Sequence, residues 1–200
     1  MPTFDIENAL KSQGYKLVCG VDEAGRGPLA GPVCAAAVIL PDNCVIEGLD
    51  DSKKLTEKKR EALFDVVKEK AIAYSVVLID NHVIDEINIL NATLEAMTKA
   101  VEGLKVTPDF VIIDGNKTPS QLKIPCDYII KGDALSMSIA AASILAKVTR
   151  DRLMLELDKQ YPCYQFAKHK GYGTKLHTDL IKQHGPCEIH RASFLKKILN

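Results

Sequence analysis

The sequence predicts one α/β domain over residues 1–200, with a mixed central sheet flanked by helices and a helical C-terminal region from about residue 150. Apolar runs at 16–22 and 33–40 have the length and composition of buried strands. Later apolar runs alternate with segments of helical period, which is typical of a sheet covered by helices. Two hundred residues are enough to bury one such core.

The first half of the chain predicts three strands and three helices. Thr56 directly precedes one helix, as capping residues do, and either Asn81 or Asn88 can begin another. That last helix carries apolar residues at three- and four-residue spacing. The predicted elements are a helix at 4–11, strands at 16–22 and 33–40, a helix at 57–70, a strand at 71–79 and a helix through residue 104.

The second half predicts two more strands and then only helices. Its strands, at 109–114 and 128–133, each end in an aspartate beside a glycine. A segment of small residues then predicts a tightly packed helix, and Thr174 precedes a later one. The predicted helices are 136–150, 151–160, 174–183 and 191–199.

Composition excludes few functions but favours a soluble protein. The chain has 26 basic and 26 acidic residues, so its formal net charge is zero. Residues 1–100 hold 11 Lys and Arg against 16 Asp and Glu, and residues 101–200 hold 15 against 10, which permits a basic face. The six scattered cysteines, without a CxxC pair, fit reduced thiols, and no run is long enough to span a membrane. We expect a cytoplasmic protein without a membrane partner.

The first strand ends in the most informative stretch of the chain. Asp22 and Glu23 directly follow its apolar residues, and a loop with Gly25, Arg26 and Gly27 comes next. Glycines let the backbone turn sharply and let another molecule approach its amides closely. The stretch therefore predicts two carboxylates beside a backbone surface that can grip a sugar or phosphate.

Acidic residues recur at three predicted strand ends: Asp22 with Glu23, then Asp114, then Asp133. If these strands are neighbours, the four carboxylates converge, and two unit charges ~5 Å apart repel by roughly 3 kcal/mol at an effective dielectric constant of ~20. Divalent cations would relieve this repulsion, and oxygen ligands without His or Cys favour Mg²⁺ or Mn²⁺. Two such ions suit in-line phosphoryl displacement.

Six motifs resemble the ribonuclease HII family, in order and over nearly the whole chain. They are DEAGRG at 22–27, DSKKL at 51–55, IDG at 113–115, KGD at 131–133, AASILAKVTRD at 141–151 and GYGT at 171–174. The resemblance implies a ribonuclease H-like fold. It also implies two divalent ions, Mn²⁺ or Mg²⁺, held by a catalytic set of Asp22, Glu23, Asp114 and Asp133.

The resemblance also implies a substrate. A member of this family hydrolyses the RNA strand of RNA–DNA hybrids, in particular 5′ of single ribonucleotides embedded in duplex DNA, and leaves 3′-hydroxyl and 5′-phosphate ends. The backbone of Gly25, Arg26 and Gly27 would read the 2′-hydroxyl, which both donates and accepts. Tyr172, between two glycines, would stack on the deoxyribose that follows the ribonucleotide.

Several basic residues are candidates for phosphate contact. Ser52, Lys53 and Lys54 form one candidate patch that matches the family. On a predicted helix, Lys147 shares a face with Ser143 and Arg150. Lys168, Lys170 and Lys175 extend this stripe. Four histidines, His169, His177, His184 and His190, show no ligand spacing with one another; one could move protons near the leaving group, but the sequence does not select it.

Two other functions remain open from the sequence. A non-catalytic nucleic-acid-binding module would need the basic stripe but not the acids, and would bind hybrids without regard to Mg²⁺. A metal-dependent nuclease for DNA junctions would keep the acids but would not need a reader of the 2′-hydroxyl. Cleavage of an all-DNA duplex would distinguish this nuclease from a ribonuclease. We expect a monomer.

Overall fold

The computed structural model describes residues 1–199, which form a five-stranded mixed sheet with helices on both faces. The strands lie in the order β3-β2-β1-β4-β5. Their bounds are β1 Val18–Ala24, β2 Val33–Ile39, β3 Ala73–Ile79, β4 Phe110–Asp114 and β5 Cys126–Ile129. The helices are α1 Asp5–Ser12, α2 Glu57–Lys70, α3 Asn81–Glu102, α4 Gly132–Leu135, α5 Met137–Gln160, α6 Phe166–His169, α7 Lys175–His184 and α8 Ala192–Leu199.

Strand β1 is the centre of the sheet and the place where its direction changes. It pairs antiparallel with β2, which pairs antiparallel with β3. On its other side it pairs parallel with β4, which pairs parallel with β5. Because parallel strands end at the same edge, the C-terminal ends of β1, β4 and β5 lie side by side.

Two apolar layers cover the two faces of the sheet. On one face, Val21 and Ala35 pack with the buried side of α3, including Ala96. On the other face, Ala36 packs with α2 and with Ala141 of α5. The alternation of neighbouring residues between the two clusters is the period-two pattern of a strand that is buried on both sides.

Helix α5 approaches β1 more closely than a side chain would allow. A Cβ atom placed on Gly20 would lie 2.2 Å from the carbonyl carbon of Ser138, in the first turn of α5. The start of this 24-residue helix is therefore seated directly on β1, two residues before Asp22. This contact sets the distance between the helix and the carboxyl end of the central strand.

Two predicted helix boundaries were wrong. Residues 137–160 form one continuous helix, α5, because Asp151 continues the helix instead of beginning a second one. Asp80, not Asn81, caps the start of α3. Asn88, at φ 67°, interrupts α3 and accepts a hydrogen bond from the Asn91 amide, so it caps the second part of the helix as predicted. Thr56 and Thr174 cap α2 and α7 as predicted.

The prediction that Asp133 ends a strand was also wrong. Strand β5 stops at Ile129, Lys131 adopts a left-handed conformation at φ 59°, and Gly132 and Asp133 begin the short helix α4. Gly132 is closely surrounded, since an added Cβ would lie 2.6 Å from Cδ1 of Ile139 and would require that side chain to shift. Asp133 therefore reaches the sheet edge from a helical turn.

The C-terminal region is helical, as predicted. A third apolar cluster joins Met154 of α5 to Phe166, Ile181 and Leu195, so α6, α7 and α8 pack on one another and on the end of α5. No helix within residues 1–199 is long and apolar enough to cross a membrane.

Replacing Gly20 with alanine should destabilise the protein by about 3 kcal/mol, because the added methyl group meets the backbone of α5 and cannot be accommodated by a rotamer change. Urea denaturation measures the change. The matched control is Gly27→Ala, whose Cβ would find its nearest atom 4.0 Å away, and we expect a change below about 0.5 kcal/mol. Equal losses in the two variants would contradict the role given to the α5 contact.

Candidate active site

Asp22 and Glu23 lie near the end of β1 on opposite faces of the sheet. Asp22 is opposite Ala36 of β2, on the face that α5 covers, and is only 3 % exposed. Its Oδ1 accepts a hydrogen bond of 2.7 Å from the Glu23 amide. Glu23 lies on the α3 face, where its Oε1 is 3.4 Å from the guanidinium of Arg26.

Asp114 is the last residue of β4, and it holds the helical turn that carries Asp133. Its Oδ1 accepts hydrogen bonds from the amides of Gly132 at 2.7 Å and of Asp133 at 3.4 Å. A carboxylate at the N-terminus of a helical turn satisfies amides that have no partner in the helix. Asp133 itself is 5 % exposed and faces the same edge of the sheet.

Three of the predicted acids therefore meet. One carboxylate oxygen from each of Asp22, Asp114 and Asp133 lies within 4.8 Å of the other two. Glu23 stands outside this group but adjoins it, because Glu23 and Asp114 line the same small cleft beside α3. The convergence predicted from the sequence is confirmed for three acids, and the fourth approaches from the other face.

The carboxylates are held where ionisation is unfavourable. Burial, and then the charges of Glu23 and Asp114, raise the pKa of Asp22 well above its ordinary value. Burial also raises the pKa values of Glu23 and Asp114, although Arg26 opposes the shift at Glu23. A site that offers only carboxylate oxygens fits hard divalent cations such as Mg²⁺ or Mn²⁺.

The glycine-rich loop after β1 is held from behind by two buried arginines. The guanidinium of Arg191 donates hydrogen bonds to the carbonyls of Gly25, Arg26 and Gly31, at 2.6, 2.9 and 2.9 Å. That of Arg150 donates to the carbonyls of Ala30, Pro32 and Lys170, at 2.9 to 3.1 Å. Both arginines are 0 % exposed.

The interpretation of Arg150 as a phosphate ligand was wrong, because its side chain is buried under the loop and bound to backbone carbonyls. Ser143 is buried as well and donates to the carbonyl of Ala140. Sequence reasoning missed Arg191 altogether. Its only signal is a lone arginine before the last helix, and nothing local connects it to a loop 160 residues away.

Tyr172 lies beside the glycine loop with its ring exposed to solvent. The residue is 39 % exposed, and the nearest atom to a Cβ built on Gly27 is Cε1 of this ring. The ammonium group of Lys147 lies 5.6 Å from the ring centroid and also pairs with Asp151 at 2.8 Å. The loop, the tyrosine and Lys147 thus form one continuous surface.

Comparison with known proteins gives a family for this arrangement. A sequence model of the family described as Ribonuclease HII matches residues 19–197. The chain belongs to the ribonuclease HII family. The enzyme of that name from Caldicellulosiruptor bescii is 59 % identical over 197 residues, covering 98 % of this chain and 95 % of that one. The one from Acetivibrio thermocellus is 58 % identical, covering 96 % and 75 %.

Solved structures agree with this family. The crystal structure of ribonuclease H2 from Pyrococcus horikoshii superposes with a TM-score of 0.76 at 29 % identity, covering 92 % of this chain and 97 % of the other. The ribonuclease H-like fold implied by the motifs is therefore confirmed. As a member of the ribonuclease HII family the protein is a metal-dependent endoribonuclease that acts on RNA in RNA–DNA substrates.

The other residues predicted to contact phosphates in this ribonuclease HII chain differ in their exposure and in their hydrogen-bond partners. Lys53 donates to Oδ2 of Asp133 at 3.2 Å; burial opposes its charge, but this hydrogen bond and the nearby acids raise its pKa above the ordinary value. Ser52 is buried at 5 % exposure beside it. Lys168 and Lys175 are exposed, whereas Lys170 donates back to the carbonyl of Ala167.

Replacing Asp22 with asparagine should stabilise the protein when divalent ions are chelated, by about 1–3 kcal/mol, since one repulsive charge leaves the cluster. Because the folded-state pKa of Asp22 is raised, ionisation weakens the wild type as pH rises above about 4, and the advantage of the variant should vanish below that pH.

Urea denaturation in EDTA at pH 7.5 and at pH 4 measures both effects. The matched control is Asp179→Asn on α7, where an exposed carboxylate pairs with Lys175. We expect a change below about 0.5 kcal/mol for the control. A destabilised Asp22→Asn protein in EDTA would contradict the electrostatic account.

Proposed function

We propose that the protein hydrolyses the phosphodiester bond on the 5′ side of single ribonucleotides embedded in duplex DNA, leaving 3′-hydroxyl and 5′-phosphate ends. Asp22, Glu23, Asp114 and Asp133 form its catalytic set. The observation that supports this most is the meeting of three buried or half-buried carboxylates within 4.8 Å at one sheet edge. Capping of the α4 turn accounts for Asp114 alone and not for the meeting of three acids that repel one another.

These acids would hold two divalent ions, Mg²⁺ or Mn²⁺. Bound there, such ions supply activation of the attacking water and stabilisation of the departing oxygen in an in-line displacement. The chain's own contribution is to fix the oxygens: the Glu23 amide orients Asp22, and Asp114 is held by the amides of Gly132 and Asp133. The ammonium group of Lys53 donates to Asp133, which places it close enough to the acidic cluster to contact a phosphate bound there.

The glycine loop reads the 2′-hydroxyl with the backbone groups that the arginines leave free. Arg191 occupies the carbonyls of Gly25 and Arg26. Among the described residues, the amides of Arg26 and Gly27 and the carbonyl of Gly27 have no partner, and both residues are exposed. These two donors and one acceptor suit a hydroxyl, which needs both.

Tyr172 stacks on the sugar that follows the ribonucleotide, and basic residues around it contact phosphates. The exposed ring beside Gly27 provides an apolar plate, and Lys147 lies over one face of it. Arg26 and Lys53 flank the acids on either side. All these groups belong to one chain, which supports a monomer as the active form.

Asparagine at Asp22 or Asp114 should lower the cleavage rate of a duplex with one ribonucleotide by more than about 100-fold, since loss of a metal ligand exceeds the 10–100-fold effect of outer-shell changes. The assay compares each variant with Asp179→Asn at saturating Mg²⁺. Undiminished Mg²⁺-dependent cutting by Asp22→Asn would remove the catalytic assignment. Hybrid binding that ignores Mg²⁺, without cleavage, would instead indicate a binding module.

Alanine at Tyr172 should lower kcat/KM about tenfold on a duplex with a single ribonucleotide and much less on a continuous RNA–DNA hybrid, because stacking is worth about 1–3 kcal/mol. The matched control is Tyr74→Ala, an exposed tyrosine on β3 at the far edge of the sheet. Equal effects on both substrates would contradict the role of Tyr172. Cleavage of an all-DNA duplex at a similar rate would support a DNA nuclease.

A further inference from the structure

A cluster of three buried histidines lies beneath the segment that carries Tyr172. His169, His177 and His190 are 7 %, 0 % and 5 % exposed. The rings of His169 and His177 stack with centroids 4.3 Å apart, and the ring of Phe166 packs against all three. None of them belongs to the acidic cluster, so the proposed chemistry leaves them unexplained.

The hydrogen bonds of His177 and His190 permit only one placement of their protons. Nδ1 of His177 lies 3.0 Å from the carbonyl oxygen of Tyr172, which can only accept, so this nitrogen carries the proton. Nε2 of His177 must then accept, and its partner is Nε2 of His190 at 3.1 Å. Nδ1 of His190 in turn accepts from the amide of Cys187 at 2.9 Å.

The partners of His169 also fix the position of its proton. Its Nε2 lies 2.8 Å from the carbonyl oxygen of Tyr164 and must donate, while its Nδ1 accepts from the amide of Gly171 at 3.2 Å. Each ring nitrogen thus has a partner of the correct kind when all three rings are neutral, and Nδ1 of His190 has two, the amide and the thiol of Cys187. A further proton on any ring would point at a donor.

The surroundings keep the rings neutral. Burial lowers the pKa of His177 and of His190 to about 4, and it lowers the pKa of His169 as well. The titratable and charged groups facing the cluster are few: Tyr164 and Cys187 beside His190, and Asp158 and Lys170 near His169. No carboxylate in residues 1–199 pairs with any of the three rings.

The cluster immobilises the backbone of Tyr172 while its ring stays exposed. The Tyr172 amide donates to the carbonyl of His169 at 2.8 Å, and its carbonyl accepts from both His177 and the Thr174 amide. The Gly171 carbonyl accepts from the Leu29 amide at 2.8 Å, which ties the segment to the glycine loop. The position of the ring therefore depends on a rigid base.

We propose that the neutral chain His190–His177–Tyr172 carbonyl positions Tyr172 for stacking, so that His177 and His190 are positioning residues and not proton carriers. The inference rests on the role proposed for Tyr172 above. It answers which of the four histidines matter and assigns them a role away from the leaving group. His184 lies outside the chain, with its ring against Tyr164.

The protonation pattern can be measured on the wild-type protein. Nitrogen-15 NMR of the imidazoles at pH 7 should show His177 protonated on Nδ1 and His190 on Nε2, both neutral. His177 protonated on Nε2, or either ring charged at pH 7, would overturn the proposal. This measurement needs no variant and no nuclease activity, so it stands if a variant fails to fold.

The positioning role is tested with a matched pair of variants. His177→Asn keeps an N–H near the position of Nδ1, whereas His177→Phe keeps the ring and removes the donor. On a duplex with one ribonucleotide, we expect His177→Phe to raise KM about tenfold and His177→Asn to raise it less than about threefold, with kcat nearly unchanged, because the stacking plate is displaced.

Non-additivity separates this role from a general loss of stability. In the Tyr172→Ala background, His177→Phe should change KM less than about twofold, since the group it positions is gone. A tenfold rise in both backgrounds would overturn the proposal. If Tyr172→Ala raises KM but His177→Phe does not, only the positioning fails; if Tyr172→Ala itself has no effect, the stacking role fails first.

Discussion

Mutual repulsion among carboxylates at one sheet edge is the constraint on which the rest of the structure depends. Asp22, Asp114 and Asp133 are forced together by strand order and by a helical turn, and burial raises the pKa values of Asp22 and Asp114. Only one ammonium group, that of Lys53, makes an ion pair with these three acids among residues 1–199, and its side chain is largely exposed. The fold thus keeps mutually repelling carboxylates together, which lowers the free energy of unfolding, and bound divalent cations neutralise the repulsion.

The scaffold around this edge explains how such a cluster is tolerated. Strand β1 is buried on both faces and is held by neighbours on each side, so the position of Asp22 does not adjust to relieve the repulsion. The contact between Gly20 and α5 adds a rigid support directly below it. Asp114 is restrained by amides of α4, which gives the charge a fixed direction.

Much of this could be predicted from the sequence, and what could not has a physical reason. Asp22 and Asp114 end apolar strands, so strand periodicity alone places them. Asp133 sits in a helical turn because Lys131 takes a left-handed conformation that no local pattern signals. Arg150 looked like a solvent-facing member of a basic stripe, yet loop carbonyls distant in sequence surround it. Contacts of that separation are set by the tertiary fold, which helical spacing does not encode.

The two buried arginines have a consequence for the chain as a whole. Neither forms an ion pair with a carboxylate in the described residues; six backbone carbonyls take the place of a counter-ion. Arg191 comes just before α8, so its hydrogen bonds connect the start of the last helix to the loop at 25–31. Shortening the chain ahead of Arg191 would spare every acid and Tyr172, yet it would release the loop. Arg191, at the entrance to α8, therefore holds in place the loop to which the proposed function assigns recognition of the ribonucleotide.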